Sequence, residues 1–206
     1  MKVVGLTGSI GMGKTTAALL LRRMGVPVHD ADAAVHRLLG KGGAGVPAVA
    51  AAFPGVVRDG AVDRTALGAK VFGDAEAMRR LERILHPLVR QDSGRFLKDA
   101  RRRGARIGVL DVPLLFEVGR DRDCDATLVV SAPAFVQRAR VLARPGMTER
   151  RLHEVLSRQM PDLEKRRRAD YVVQTGLGRR LTLRRLARVL KDLERAGARG
   201  TPRRRG

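Results

Sequence analysis

Residues 8 to 15 of this 206-residue chain, Gly8-Ser9-Ile10-Gly11-Met12-Gly13-Lys14-Thr15, satisfy G-x-x-x-x-G-K-[ST] at every fixed position. The run before them, residues 3–7, is short and apolar and reads as a buried strand. Residues 15–24 follow, with Leu19 and Leu20 set against Arg22 and Arg23 in the way an amphipathic helix divides its faces. Between a strand and a helix, such glycines let backbone N–H groups turn inward around an anion, and the helix N-terminus adds its positive dipole. Lys14 is then placed to reach β and γ phosphates, and Thr15 to ligate Mg²⁺. A glycine-rich turn that merely caps a helix has no need of the Lys-Thr pair.

Further strands are expected at 26–29, 107–112, 127–131 and 171–173, separated by helical stretches. Five short strands alternating with helices predict a doubly wound α/β fold of the P-loop nucleoside triphosphate hydrolase kind, a parallel five-stranded sheet with flanking helices. Strand signals stop between residues 33 and 104. That segment reads as a helical insertion with breaks at 40–47, Pro54-Gly55 and Pro87. Residues 134–168 form a second helical stretch, rich in Arg and broken at Pro145-Gly146, that suits a mobile lid. Leu183, Leu186, Leu190 and Leu193 recur at helical spacing in a C-terminal helix. Residues 1–197 are expected to form one domain, with a core at about 1–32, 104–133 and 169–197. Residues 198–206 read as a disordered basic tail.

Charge narrows the partners. With 42 Lys plus Arg against 21 Asp plus Glu, the formal charge is +21, which suits nucleic acid, an anionic membrane surface or an anionic small molecule. Aromatic residues make up 3% of the chain, leaving few rings on which single-stranded bases could stack. Much of the Arg excess reads as solvated helix surface. No apolar stretch reaches the length of a membrane span, so no membrane partner is expected. Cys124 is the lone cysteine, which suits a reducing cytoplasm. The chain contains no Asn and so lacks the N-K-x-D motif with which GTPases read guanine. A small-molecule kinase is the best remaining reading. Its rivals are a kinase for another nucleoside or nucleotide, and a nucleic-acid-binding ATPase.

A kinase must also hold an acceptor hydroxyl. His29-Asp30-Ala31-Asp32 follows the second expected strand, at the sheet end where the phosphate loop lies, and either carboxylate could orient a hydroxyl there. An Asp at such a place can equally cap a helix.

The phosphate loop together with Asp30-Ala31-Asp32, Val62-Asp63-Arg64, Leu85-His86-Pro87, Asp111-Val112-Pro113-Leu114-Leu115-Phe116-Glu117, Arg158-Gln159-Met160-Pro161 and Ala169-Asp170-Tyr171-Val172 resembles the dephospho-coenzyme A kinase family, from about residue 2 to 193. The resemblance implies ATP-dependent transfer to the ribose 3′-hydroxyl of dephospho-coenzyme A, the last step of coenzyme A synthesis. It also implies a nucleotide core, a helical acceptor-binding region at about 33–103 and a lid at about 134–168. Carried over by position, Asp32 is the general base, and Gly8, Gly11, Met12, Gly13, Lys14, Thr15 and Thr16 hold ATP. Arg140 neutralises the transferring phosphoryl group, Arg144 contacts ATP, and His86 and Glu117 lie near the acceptor. Asp111 stands where an acidic Mg²⁺ partner could sit, although the resemblance does not require an acid there. The expected partners are ATP and dephospho-coenzyme A, with a monomer or weak homo-oligomer as the assembly. Three positions depart from the family pattern: Pro145 in Arg144-Pro145-Gly146, Val155 where Arg is common, and Thr175 where an Asn usually follows the last strand.

Overall fold

The structure, a computed structural model, describes residues 1–198; the tail expected at 198–206 lies, from 199 onward, outside the described residues. The chain divides into two compact units, one built from Met1–His29 and the chain from Ala100 onward, the other from Asp30–Asp99.

The first unit is organised by a five-stranded sheet. Its strands are β1 (Lys2–Thr7), β2 (Val28–Asp30), β5 (Ile107–Asp111), β6 (Ala126–Ser131) and β7 (Tyr171–Gln174), in the order β2-β5-β1-β6-β7. The pairings of β1 with β5, β1 with β6 and β6 with β7 are parallel. All of β5 and β6 is buried, as continuous apolar strands require when helices cover both faces. Helices α1 (Lys14–Arg23), α6 (Ala134–Leu142), α7 (Glu149–Ser157), α8 (Asp162–Arg168) and α9 (Arg179–Ala198) complete the unit. The core joins Val4, Leu6 and Leu128 of the sheet to Leu20 and Leu21 of α1 and Leu186 and Leu193 of α9. Each such leucine contributes roughly 1.5–3 kcal/mol by leaving water. In α9 the buried stripe runs Thr182, Leu186, Val189, Leu193, so Leu183 turns outward from the line expected of it. Thr182 can take the inner place because its hydroxyl donates back to Gly178 O at 2.9 Å, which satisfies the one polar group it buries.

The second unit holds α2 (Ala31–Leu39), α3 (Val46–Ala52), the hairpin β3 (Val57–Arg58) and β4 (Ala61–Val62), α4 (Arg64–Val71) and most of α5 (Ala75–Arg102). Two expectations need correction here. The segment expected to be a helical insertion with breaks also contains an antiparallel hairpin, pairing Val57 with Val62. Its turn, Asp59-Gly60, has positive φ at both residues, 50° and 77°. Asp-Gly between apolar residues is the signal of a two-residue hairpin turn, and it was present in the sequence. Pro87 does not break the chain either, because α5 runs through it for 28 residues. Leu81, Leu85 and Val89 are buried at i, i+4 and i+8, while Arg83, His86 and Pro87 face solvent. The carbonyl freed by the proline therefore points to water, and the packed stripe holds the helix together.

Candidate active site

The phosphate loop leaves the carboxyl end of β1, the central strand, where the order of connections reverses; ligands of open α/β sheets bind at such a point. Two glycines there have specific work. Gly11 has φ +75°, and a Cβ on it would come within 2.6 Å of Val141 Cγ2. Gly13 has φ +85°, and a Cβ on it would come within 2.9 Å of Thr175 Oγ1. Helix α1 then begins at Lys14 with no side-chain cap and no acid in its first turn. Its leading N–H groups and positive dipole end are left for an external anion, which is the physical requirement for holding phosphate.

Around the loop the structure gathers charged and polar side chains. Lys14 Nζ lies 2.5 Å from Asp111 Oδ1, and Asp111, at the end of β5, is 3% exposed. Thr15 is exposed, and Thr16 is half-buried one position on. Arg140, on α6, donates through Nη1 to Gly11 O at 3.3 Å and Thr175 Oγ1 at 3.1 Å, and through Nη2 to Thr175 O at 2.9 Å. Met12 is buried, and its Sδ accepts from Ala132 N. The tip of the loop is gripped from both sides of one residue. Ile10 N donates to Gln159 Oε1 at 3.0 Å, and Ile10 O accepts from Gln137 Nε2 at 2.8 Å.

The segment expected as a lid, 134–168, falls in the same compact unit as the sheet. Through Gln137, Arg140 and Val141, α6 forms a wall of the phosphate loop. Arg144 is exposed just past the end of α6. The chain turns there through Pro145 and Gly146, whose carbonyl accepts from Arg151.

Glu117 sits in this unit in a buried polar cluster. Its Oε1 accepts from Met160 N and pairs with Lys165 Nζ, each at 2.9 Å, and Lys165 is fully buried. Lys165 also reaches Pro113 O, which accepts from Thr7 Oγ1 at 2.9 Å, so β1 and the 113–117 segment are tied together. Asp170 Oδ2 accepts from both N and Oγ1 of Thr127 at 2.7 Å.

In the other unit Asp30 and Asp32 divide their labour. Asp30 is the N-cap of α2, its carboxylate accepting from Ala33 N at 2.9 Å, while Asp32 lies exposed in the first turn. The cap reading therefore belongs to Asp30, not to Asp32. His36, one turn along, is in contact with Arg64 Nη1 at 2.9 Å. His86 is exposed on α5, where it lines a shallow cavity of about 480 Å³ with Glu76, Arg79, Glu82 and Arg83.

Sequence reasoning gave no role to three residues that matter here, although Thr175 was noted as a departure from the family pattern. Gln137, Gln159 and Thr175 bond to the loop from 127 or more residues along the chain, and no local pattern announces those contacts. Only Gln159 stood within a quoted motif.

Known proteins supply the remaining observation. Residues 2–178 match the dephospho-CoA kinase family. A dephospho-CoA kinase of Paramagnetospirillum magneticum is 67% identical over 166 residues, covering 81% of this chain and 78% of the relative. Among solved structures, TT1252 from Thermus thermophilus superposes with a TM-score of 0.81 at 35% identity, covering 98% of each chain. The fold is also shared with a dephospho-CoA kinase from Campylobacter jejuni, at a TM-score of 0.70 and 21% identity, covering 95% of this chain and 98% of that one.

Proposed function

The chain belongs to the dephospho-CoA kinase family, and from that membership we propose that it transfers the γ-phosphoryl group of ATP to the ribose 3′-hydroxyl of dephospho-CoA, giving CoA and ADP, the last step of CoA biosynthesis. The observation that carries the chemistry is the joining of Lys14, Asp111 and Arg140 around the uncapped N-terminus of α1. A loose, charge-spread transition state rewards fixed positive charge more than covalent help; Lys14 and Arg140 supply that charge, and Asp111 holds the Lys14 ammonium in place.

In this reading Gly8, Gly11, Met12, Gly13, Lys14, Thr15 and Thr16 wrap the ATP phosphates with backbone N–H groups and the Lys14 ammonium. Arg140 faces the transferring group, and Arg144 binds ATP farther out. Asp32 accepts or orients the proton of the attacking hydroxyl, while His86 and Glu117 serve the acceptor side. Among the described residues no group of three or more His, Cys, Asp or Glu converges as a metal cage. That fits Mg²⁺, which is held by one or two protein oxygens and the substrate's phosphates. Thr15 and Asp111 are the residues that would hold it, and the ion when bound neutralises charge on the β and γ oxygens.

Residues 33–103 act as the acceptor-binding region and 134–168 as the lid in the same proposal. A cytoplasmic setting is part of it too, supported by the lone, buried Cys124; no described helix is long and apolar enough to cross a membrane. So is a monomer or weak homo-oligomer with no nucleic-acid partner. Incubation with Mg·ATP and dephospho-CoA, beside a panel of other nucleosides and nucleotides, tests the reading. CoA formed far faster than any other product is expected, and its absence would overturn the assignment. ATP hydrolysis stimulated by RNA or DNA with a steep salt dependence would favour the nucleic-acid reading instead.

A further inference from the structure

We propose that Thr175 is a positioning residue for phosphoryl transfer, its buried hydroxyl fixing at once the Met12–Gly13 turn of the phosphate loop and the guanidinium of Arg140. The inference rests on the kinase reading above.

Thr175 is 5% exposed and follows directly on β7. Its N–H donates to Ser131 O at 2.8 Å, continuing the β6–β7 pairing by one residue, so the sheet itself sets its place. The hydroxyl has one proton and two lone pairs. Met12 O, at 2.7 Å, is nearer than Ser131 O at 3.4 Å and takes the proton. The oxygen is then free to accept from Arg140 Nη1 at 3.1 Å, while the Thr175 carbonyl accepts from Nη2 at 2.9 Å. Arg140 N–H, Thr175 O–H and Met12 C=O thus form a chain in which each bond polarises the next. The hydroxyl also occupies the space a side chain at position 13 would fill, which explains why a glycine stands there.

Two elements far apart in sequence, the phosphate loop and α6, therefore take their register from one side chain anchored on the sheet. A planar guanidinium gripped at both ends cannot swing, and an arginine held in place stabilises developing charge without reorganising at the moment of reaction. Lys14 makes no bond to the hydroxyl, so part of the phosphate binding persists without it, whereas the guanidinium of Arg140 is held through it directly. Loss of the hydroxyl should weaken the chemical step more than ATP binding.

Steady-state kinetics of the full chain with Mg·ATP and dephospho-CoA test this. Thr175→Val keeps the shape and removes the hydroxyl. It should lower kcat at least about 10-fold with KM for ATP changed by less than about 3-fold, whereas Thr175→Ser should stay within about 3-fold of wild type in kcat. In an Arg140→Lys background, Thr175→Val should cost less than about 2-fold, because the two residues act as one unit. Equal kcat for Val and Ser variants, a rise in KM alone, or full additivity with Arg140→Lys would overturn the proposal. Should thermal melting show Thr175→Val unfolded, Thr175→Ala compared with Thr175→Ser reads the same hydroxyl, and equal activity of that pair overturns it. An inactive wild type would sink the kinase reading and this inference with it; an active wild type beside an equally active Thr175→Val would sink only the inference.

Discussion

Lys14 Nζ and Asp111 Oδ1 are 2.5 Å apart, joining the residue that opens α1 to the one that closes β5 across 97 positions of sequence. The pair is asymmetric: the Lys14 side chain is 18% exposed, that of Asp111 4%. The ammonium remains open to a ligand, while the carboxylate depends on the partners it has inside the protein.

Lys14→Met should therefore fail in two ways. It should cut kcat/KM by about 100-fold or more by removing a cation from the phosphates. It should also lower stability by about 1–3 kcal/mol, because Asp111 loses a charged partner where water cannot replace it. Thr15→Ala, at an exposed hydroxyl, should impair turnover and raise the Mg²⁺ requirement with little change in stability. Product release and urea denaturation of the two variants give both readouts, and an unchanged denaturation midpoint for Lys14→Met would show that Asp111 does not rely on it.

Asp30 and Asp32 should separate in the opposite sense. Removing the α2 cap in Asp30→Ala should cost about 1 kcal/mol. Asp32→Asn should leave the melting temperature in place and lower kcat by about 100-fold or more, the usual worth of a general base. Thermal melts beside kcat for each variant would show the split, and a fully active Asp32→Asn would remove Asp32 from the mechanism.

Glu117 and Lys165 should behave as a buried pair. Lys165→Met leaves a largely buried carboxylate without its cation, and the expected loss is about 3 kcal/mol. If Glu117 also serves the acceptor, Glu117→Gln should raise KM for dephospho-CoA as well as lowering stability. A change in denaturation midpoint with KM untouched would confine it to holding the 113–117 segment.

Tyr171 gives a stability change at alkaline pH. Burial raises its phenol above the ordinary value of 10.0, and the neighbouring Asp192 and Asp170 charges raise it further. With the folded value above the unfolded one, stability is intact below about pH 10 and falls as pH rises from there through the folded value. Because the chain has one Tyr and no Trp, ultraviolet phenolate absorbance reports this residue alone. Tyr171→Phe should flatten the decline measured by urea denaturation between neutral and strongly alkaline pH.

Much of this protein was legible in its sequence for local reasons. The phosphate loop is a contiguous pattern whose glycines and Lys-Thr pair follow from backbone sterics and helix-end electrostatics, and the five strands announce themselves as apolar runs. The Asp59-Gly60 turn was equally local, yet two-residue strands are too short for periodicity to register. Pro87 misled because a helix-breaking preference of a few kcal/mol yields to a packed stripe with its proline on the wet face. What no local pattern held was the set of partners. Asp30 and Asp32 differ only in which one the backbone brings to an N–H. Glu117 meets Lys165, Lys14 meets Asp111, and Thr175 meets both Met12 and Arg140. Hydrogen bonds act over about 3 Å, and which groups come that close is decided by the order of strands in the sheet and the helices packed on it. The sequence determined that the chain would hold a polyphosphate; only the tertiary structure decided which side chains hold the holder in place.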